Sequence, residues 1–165
     1  MLARRALSLV RSRVAGGALR ALSTEAGTAM KLNFNLPHQT LYAEKNVKMV
    51  LIPGVEGEYG VTAGHSPLVS ELKPGVVQII HEEGSEPEKY FVSGGFALTH
   101  PNSATDISAI EAVLVEDIDG AAVAQHHAEF KKAFEGAAEG SSARAEAQIS
   151  MGVTAAMASA VGVSL

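Results

Sequence analysis

Residues 50–77 alternate short apolar runs with closely spaced glycine and proline residues. Glycine adopts positive φ without steric cost and proline pre-sets φ for a turn, so these residues predict corners between short strands. The corner residues are Gly54, Gly57, Gly60, Gly64, Pro67, Pro74 and Gly75. Surface loops that keep one shape are frequent contact sites, so we interpret these corners as a contact region. The alternative interpretation is that they are ordinary hairpin turns of a β-sandwich.

Alternation of apolar and polar residues predicts strands on both sides of this segment. The predicted strands fall at 32–36, 47–51, 76–80, 90–92, 107–110 and 112–115. The run 76–80 is almost entirely apolar, which predicts a strand covered on both faces. Gly94 and Gly95 predict a bulge or a close approach of two backbones. Short strands with frequent turn signals indicate an antiparallel sandwich or barrel.

The chain becomes alanine-rich near Asp119, which predicts an N-cap for a helix that ends near Glu135. Gly136 and the glycine–serine run 140–142 break this helix, and a second helix is predicted over 143–160. The apolar positions expected on the inner faces are Val123, Phe130, Phe134, Ile149, Val153, Met157 and Ala160. The predicted fold class is therefore α+β, with an N-terminal antiparallel β-sandwich over 30–118 and a C-terminal α-helical hairpin over 119–165.

The first 24 residues form an arginine-rich leader in which no acidic residue precedes Glu25. Arginine and serine among Leu, Val and Ala are typical of an organellar transit peptide. We predict a mitochondrial transit peptide over 1–22, with the new N-terminus at Ser23 or slightly later. The arginines interrupt every apolar run that a secretory signal would need. A basic arm that binds nucleic acid is the alternative.

Net charge argues against nucleic-acid binding, and the cysteine content excludes chemistry that needs a thiol. Five of the 13 basic residues lie in the leader and all 18 acidic residues follow it, which leaves a formal charge of −10 on the remainder. Such an acidic chain is poorly suited to binding the phosphate backbone of a nucleic acid. The absence of cysteine excludes disulfides and thiolate chemistry.

Motifs that would carry catalysis are incomplete. Gly64–Leu68 resembles a nucleophile elbow but ends in leucine where the second glycine is required, and 91–95 lacks the first glycine. The glycines at 54, 57 and 60 have neither dinucleotide nor phosphate-loop spacing. His126 and His127 are about 100° apart on a helix and do not chelate one metal together. We predict no catalytic, cofactor-binding or metal site.

Two blocks of the sequence resemble a subunit family of rotary ATP synthases. The first, at 50–77, contains Ile-Pro-Gly, Gly-Glu-Tyr-Gly-Val, Gly-His-Ser-Pro-Leu and Leu-Lys-Pro-Gly-Val; the second, at 89–97, reads Lys-Tyr-Phe-Val-Ser-Gly-Gly-Phe-Ala. This subunit is called epsilon in bacteria and chloroplasts and delta in mitochondria, and the resemblance covers about 30–160.

The resemblance implies a non-catalytic central-stalk, or rotor, subunit that couples rotation of the c-ring through the gamma subunit to ATP synthesis. The implied partners are gamma, the c-ring and the small mitochondrial epsilon subunit, without nucleic acid. The implied location is peripheral, on the matrix side of the mitochondrial inner membrane. No cofactor is implied.

The family's c-ring contact matches the loops at 56–60 and 64–67. The residues that carry over are Glu56, Glu58, Tyr59, His65 and Pro67. Glu58 would accept from a basic or amide group of the ring, and His65 would offer a hydrogen bond. The alternative is that His65 satisfies a neighbouring carbonyl and stabilises its own loop.

Two other functions stay open. A regulatory ATP sensor of the same complex would need the family's motif of Ile/Leu-Asp, two residues, then Arg-Ala. Ile118 and Asp119 are present, but Ala122 replaces the arginine, so the bidentate phosphate donor is missing and we expect no ATP binding. A free-standing β-sandwich hydrolase is disfavoured by the incomplete elbow.

Overall fold

Alternating apolar residues in the first part of the chain form ten short strands, and the alanine-rich remainder forms two helices. The computed structural model describes residues 29–165; the predicted leader over 1–22 and its cleavage before Ser23 lie outside these residues. The strands are β1 (Met30–Asn35), β2 (Thr40–Val47), β3 (Met49–Gly54), β4 (Gly57–Thr62), β5 (Leu68–Leu72), β6 (Gly75–Ile80), β7 (Glu88–Val92), β8 (Gly95–Thr99), β9 (Ala104–Ala109) and β10 (Ala112–Leu114). A 3-10 turn (Val115–Asp117) leads into α1 (Gly120–Gly136) and α2 (Ser142–Val161).

The strands form two halves that face each other across one apolar core. The pairing order is β10-β7-β6-β3-β5-β8-β9-β1-β2, and β4 lies outside this order and pairs with β3 alone. Only the pair Gly54–Leu72 joins β3 to β5, so the sheet folds over at this point. The pair β1–β9 is parallel and the other strand pairs are antiparallel. The predicted α+β class, a β-sandwich followed by two helices, is confirmed.

The strand at 76–80 differs from its prediction. Val77 and Ile79 are fully buried, whereas Val76, Gln78 and Ile80 are half-buried because α2 covers the outer face of β6 in part. The predicted cover is therefore complete on the inner face and partial on the outer face. The close backbone approach predicted at the glycine pair is confirmed: a Cβ on Gly95 would lie 2.2 Å from the carbonyl oxygen of Ser108.

The helical hairpin begins as predicted. The Asp119 carboxylate accepts hydrogen bonds from the backbone N–H of Ala121, at 2.9 Å, and of Ala122, at 3.4 Å. These bonds satisfy two of the free donors at the start of α1, which is the function of an N-cap.

The buried face of α2 is not the predicted one. Ala147, Thr154 and Ala158 are buried, whereas Ile149 is 68% exposed. Small residues let the two helices approach closely, and the Thr154 hydroxyl is satisfied by donating to the carbonyl of Ser150, at 2.9 Å. The stripe that begins with Ile149 and Val153 lies beside the sandwich instead, at a crevice described below.

A polar cluster closes the seam between β2 and β7, where no backbone ladder joins the two halves. Tyr42 and Tyr90 both donate to the carboxylate of Glu88, the latter at 2.5 Å, and His81 Nε2 lies 3.1 Å from it. Burial alone would raise the pKa of Glu88, but the bonds from Tyr42, Tyr90 and His81 outweigh it and lower the pKa below 4.5. Burial and the Glu88 carboxylate raise the pKa of Tyr90 to about 12.

Candidate partner-binding surface

The five residues expected to contact the c-ring lie along β4 and the connections at its two ends. β3 and β4 form a hairpin with Gly54 opposite Gly57, which leaves Val55 and Glu56 exposed at the turn. Glu58 and Tyr59 belong to the strand and not to a loop, which corrects the prediction for 56–60. His65 and Pro67 follow the other end of β4, so the surface runs along an edge strand and is not confined to one end of the sandwich.

The structure brings Tyr59 and His65 together although six positions separate them. Their ring centroids are 6.5 Å apart. The Tyr59 hydroxyl is buried and has no hydrogen-bond partner among residues 29–165. His65 Nδ1 lies 2.8 Å from the carbonyl oxygen of Ser66, as expected if this histidine stabilises its own loop. The imidazole is thus fixed within its own connection through Nδ1.

A groove of about 350 Å³ separates β4 from β5 beside these residues. Its apolar lining is unusually open to solvent: Val55 is 51%, Leu68 41% and Val69 70% exposed. Glu56 and Glu71 lie on the same groove. Sequence reasoning missed the three apolar residues; a signal existed for Val55 and Leu68, which directly follow Gly54 and Pro67.

A second, larger crevice of about 700 Å³ lies between α2 and the sandwich. Three of its apolar residues are largely exposed: Phe96 by 53%, Ile110 by 68% and Ile149 by 68%. Isolated exposed apolar residues are common, but several lining one concave surface are typical of a protein contact. No local sequence pattern indicates this crevice, because its lining comes from β5, β8, β9, α2 and the connections between them.

Two candidate chemistries can be compared with the part of the chain that the structure describes, a nucleophile elbow and a metal cluster. Gly64–Leu68 connects two strands, so the strand-to-helix turn of a nucleophile elbow is missing. No group of three or more His, Cys, Asp or Glu side chains in residues 29–165 has metal-binding geometry. Among the same residues, no helix has the length and hydropathy needed to span a bilayer.

A rigid sandwich with exposed apolar surfaces and a docked helical hairpin defines a protein that acts through contacts with other subunits. Comparison with known families agrees: the family profile "ATP synthase, Delta/Epsilon chain, beta-sandwich domain" matches residues 29–129. The chain belongs to the delta/epsilon family of ATP synthase subunits, as the sequence blocks predict.

Similar proteins carry mitochondrial names. The chain is 42% identical to the ATP synthase F(1) complex subunit delta, mitochondrial, of Dictyostelium discoideum, over 88% of this chain and 86% of that relative. It is 43% identical to the mitochondrial ATP synthase subunit delta of Eremothecium gossypii, over 90% and 92% of the two chains.

Solved structures show the same fold. The chain superposes with a TM-score of 0.75 and 28% identity on a chain of the Euglena gracilis mitochondrial ATP synthase, OSCP/F1/c-ring in rotational state 1, and covers 81% of both chains. A chain of the Tetrahymena thermophila mitochondrial ATP synthase central stalk/c-ring structure matches with a TM-score of 0.60 at 13% identity, which supports the fold alone.

Proposed function

We propose that this chain is a non-catalytic rotor subunit in the central stalk of a mitochondrial F-type ATP synthase. In this function it transmits torque from the c-ring through gamma to the catalytic subunits. The observation that carries the proposal is the presence of two apolar concave surfaces on one sandwich, the β4–β5 groove and the α2 crevice, which adjoin at Val55 and Glu71. Torque transfer needs two firm surface contacts joined by a stiff body, and close-packed interiors transmit strain.

We assign the c-ring contact to the β4 edge with Glu56, Glu58, Tyr59, His65 and Pro67. Glu56 and Glu58 are exposed and form no ion pair within residues 29–165. Carboxylates without an internal partner are available to a basic or amide group of another subunit. The apolar groove beside them supplies the area that a firm contact needs.

We assign the α2 crevice and the exposed apolar residues around it to gamma and the small mitochondrial epsilon subunit. Its lining comes from both the sandwich and the hairpin. A partner seated there would hold the two parts together and would stabilise the thin alanine seam of the hairpin. With these contacts the chain is peripheral to the inner membrane on its matrix side.

The regulatory ATP sensor is the weaker candidate. The position of its missing arginine, Ala122, lies in the first turn of α1, and its N–H is already engaged by Asp119 at 3.4 Å. The start of α1 therefore has neither a guanidinium nor a free amide at this position for a phosphate.

Two measurements test the proposal. Native gels of mildly solubilised mitochondrial membranes should show this chain co-migrating with ATP synthase; migration apart from the complex would refute membership of the stalk. In the assembled enzyme, replacing Glu58 and His65 together by alanine should lower ATP synthesis per proton translocated. The control pair is Glu86→Ala with His38→Ala, which changes the same residue types at exposed positions outside β4 and should leave coupling unchanged.

A further inference from the structure

Ser103 lies in the turn between β8 and β9 and contacts the β4–β5 connection from a distance of 39 positions in the sequence. We propose that Ser103 is a positioning residue for this connection, and so for His65 and Pro67 within the contact surface. The inference rests on the function proposed for that surface.

The backbone of Ser103 is held on two sides. Its carbonyl oxygen accepts from Lys31 N–H at 3.0 Å, which ties the turn to β1. Its own N–H donates to the carbonyl of His100 at 3.3 Å, which closes the turn. With the backbone fixed in this way, the hydroxyl oxygen is a stationary acceptor, and it receives the N–H of Gly64 at 2.9 Å.

The Gly64–Ser103 bond ties the β4–β5 connection to a distant part of the sandwich. The other hydrogen bonds of the connection are local: His65 N–H donates to the carbonyl of Thr62, the last residue of β4, at 3.1 Å, and His65 Nδ1 lies 2.8 Å from the carbonyl oxygen of Ser66. Ala63 also packs against the core. Among residues 29–165, the Gly64–Ser103 bond is the one hydrogen bond that joins this connection to the β8–β9 turn, and it restrains the connection in addition to its two strand ends.

The conformation of Ser103 supports a specific role for its side chain. Its φ is +61°, a region that L-residues other than asparagine and aspartate rarely adopt. Glycine would adopt this conformation more easily but has no side-chain acceptor. Asparagine would adopt it too and would supply an amide oxygen. The pair Ser103→Gly and Ser103→Asn therefore separates the side-chain acceptor from backbone strain.

Amide hydrogen exchange of the full chain tests the positioning directly. Loss of one such bond should make the Gly64 N–H exchange about two- to tenfold faster in Ser103→Gly, because a net hydrogen bond is worth a factor of this size. The melting temperature should not fall, since glycine relieves strain. Ser103→Asn should restore slow exchange. Unchanged exchange in Ser103→Gly, or fast exchange in both variants, would overturn the proposal.

Coupling in the assembled enzyme separates this inference from the proposed function. Ser103→Gly should lower the ATP made per proton, and Ser103→Asn should recover it. If the Glu58/His65 double variant lowers coupling but Ser103→Gly does not, the positioning role is wrong and the contact surface stands. If the double variant has no effect, the surface itself is wrong, whereas the exchange result at Gly64 still decides the role of Ser103.

Discussion

Replacing Gly95 by alanine should destabilise the fold strongly, whereas the same change at the adjacent Gly94 should be tolerated. Both glycines have positive φ, +155° at Gly94 and +145° at Gly95. Only at Gly95 would the new methyl group meet a neighbouring strand: it would lie 2.2 Å from the carbonyl oxygen of Ser108 and 2.8 Å from Cα of Ala109. At Gly94 the nearest atom, the carbonyl oxygen of Leu72, is 3.5 Å away.

Both substitutions cost free energy through backbone strain, and Gly95→Ala costs more through a steric clash. Holding alanine at positive φ costs about 1–3 kcal/mol at either site. At Gly95 the methyl group also has to push β9 away, which breaks the pairing of Gly95 with Ala109 and disturbs a buried position. We expect a loss of stability of about 1–3 kcal/mol for Gly94→Ala and of at least about 4 kcal/mol for Gly95→Ala, a large part of the 5–15 kcal/mol of a typical domain.

Urea unfolding of the protein, followed by circular dichroism, measures this difference. Gly94→Ala should shift the unfolding midpoint slightly, and Gly95→Ala should lower it much further. A chain of this size loses about 3–6 °C in Tm per kcal/mol, so thermal melts give an independent value. Equal losses at the two positions would show that φ strain alone governs the site and that the close approach of β8 and β9 is not rigid.

Three further outcomes follow from the same structure. Although burial opposes it, the hydrogen bonds from Tyr42, Tyr90 and His81 hold the folded pKa of Glu88 below its ordinary value. Its stabilising effect is therefore present above the ordinary pKa and is lost as the pH falls through the lowered pKa. Glu88→Gln should lower the free energy of unfolding by about 1–2 kcal/mol at pH 7 and flatten its decline at acid pH in denaturant titrations, and an unchanged acid limb would contradict this. Thr154→Val should remove the hydrogen-bond partner of His127 Nδ1, which lies 2.9 Å from the Thr154 hydroxyl. We expect the free energy of unfolding to fall by about 1 kcal/mol. Hydrogen exchange should become faster in α1 and α2 and stay unchanged in the sandwich. Calorimetry with millimolar ATP should give no saturable heat, because Ala122 offers no phosphate donor, and micromolar binding would favour the sensor.

The features that could be predicted from the sequence are those set by the backbone conformation of one or two residues. Glycine and proline restrict φ within one or two residues, so the corner at Gly54, the close approach at Gly95 and the cap at Asp119 follow without knowledge of the rest of the chain. The family blocks lie in the same segments, which is why the fold class and the family could both be predicted.

The remaining features depend on contacts that no local pattern encodes. The parallel pairing of β1 with β9 and the bond between Gly64 and Ser103 join distant parts of the chain. Glu58 was expected in a loop because glycines flank it, yet pairing with β3 extends the strand through them. The stripe at Ile149 was misplaced because an alanine-rich helix has two weakly apolar faces, and packing against α1 selects the one that contains Thr154.

Cross-linking from Glu58 in the intact ATP synthase tests the central claim most directly. The chain has no cysteine, so Glu58→Cys introduces a single site for a maleimide photocross-linker. Ala43→Cys is the matched control, exposed on β2 at the opposite seam of the sandwich. We predict a product that joins this chain to the ring subunit from Glu58→Cys only, and the same rate of ATP synthesis in this variant before and after cross-linking, because two parts of one rotor turn together. Absence of the ring product, or loss of synthesis once it forms, would contradict the assignment of this chain to the rotor.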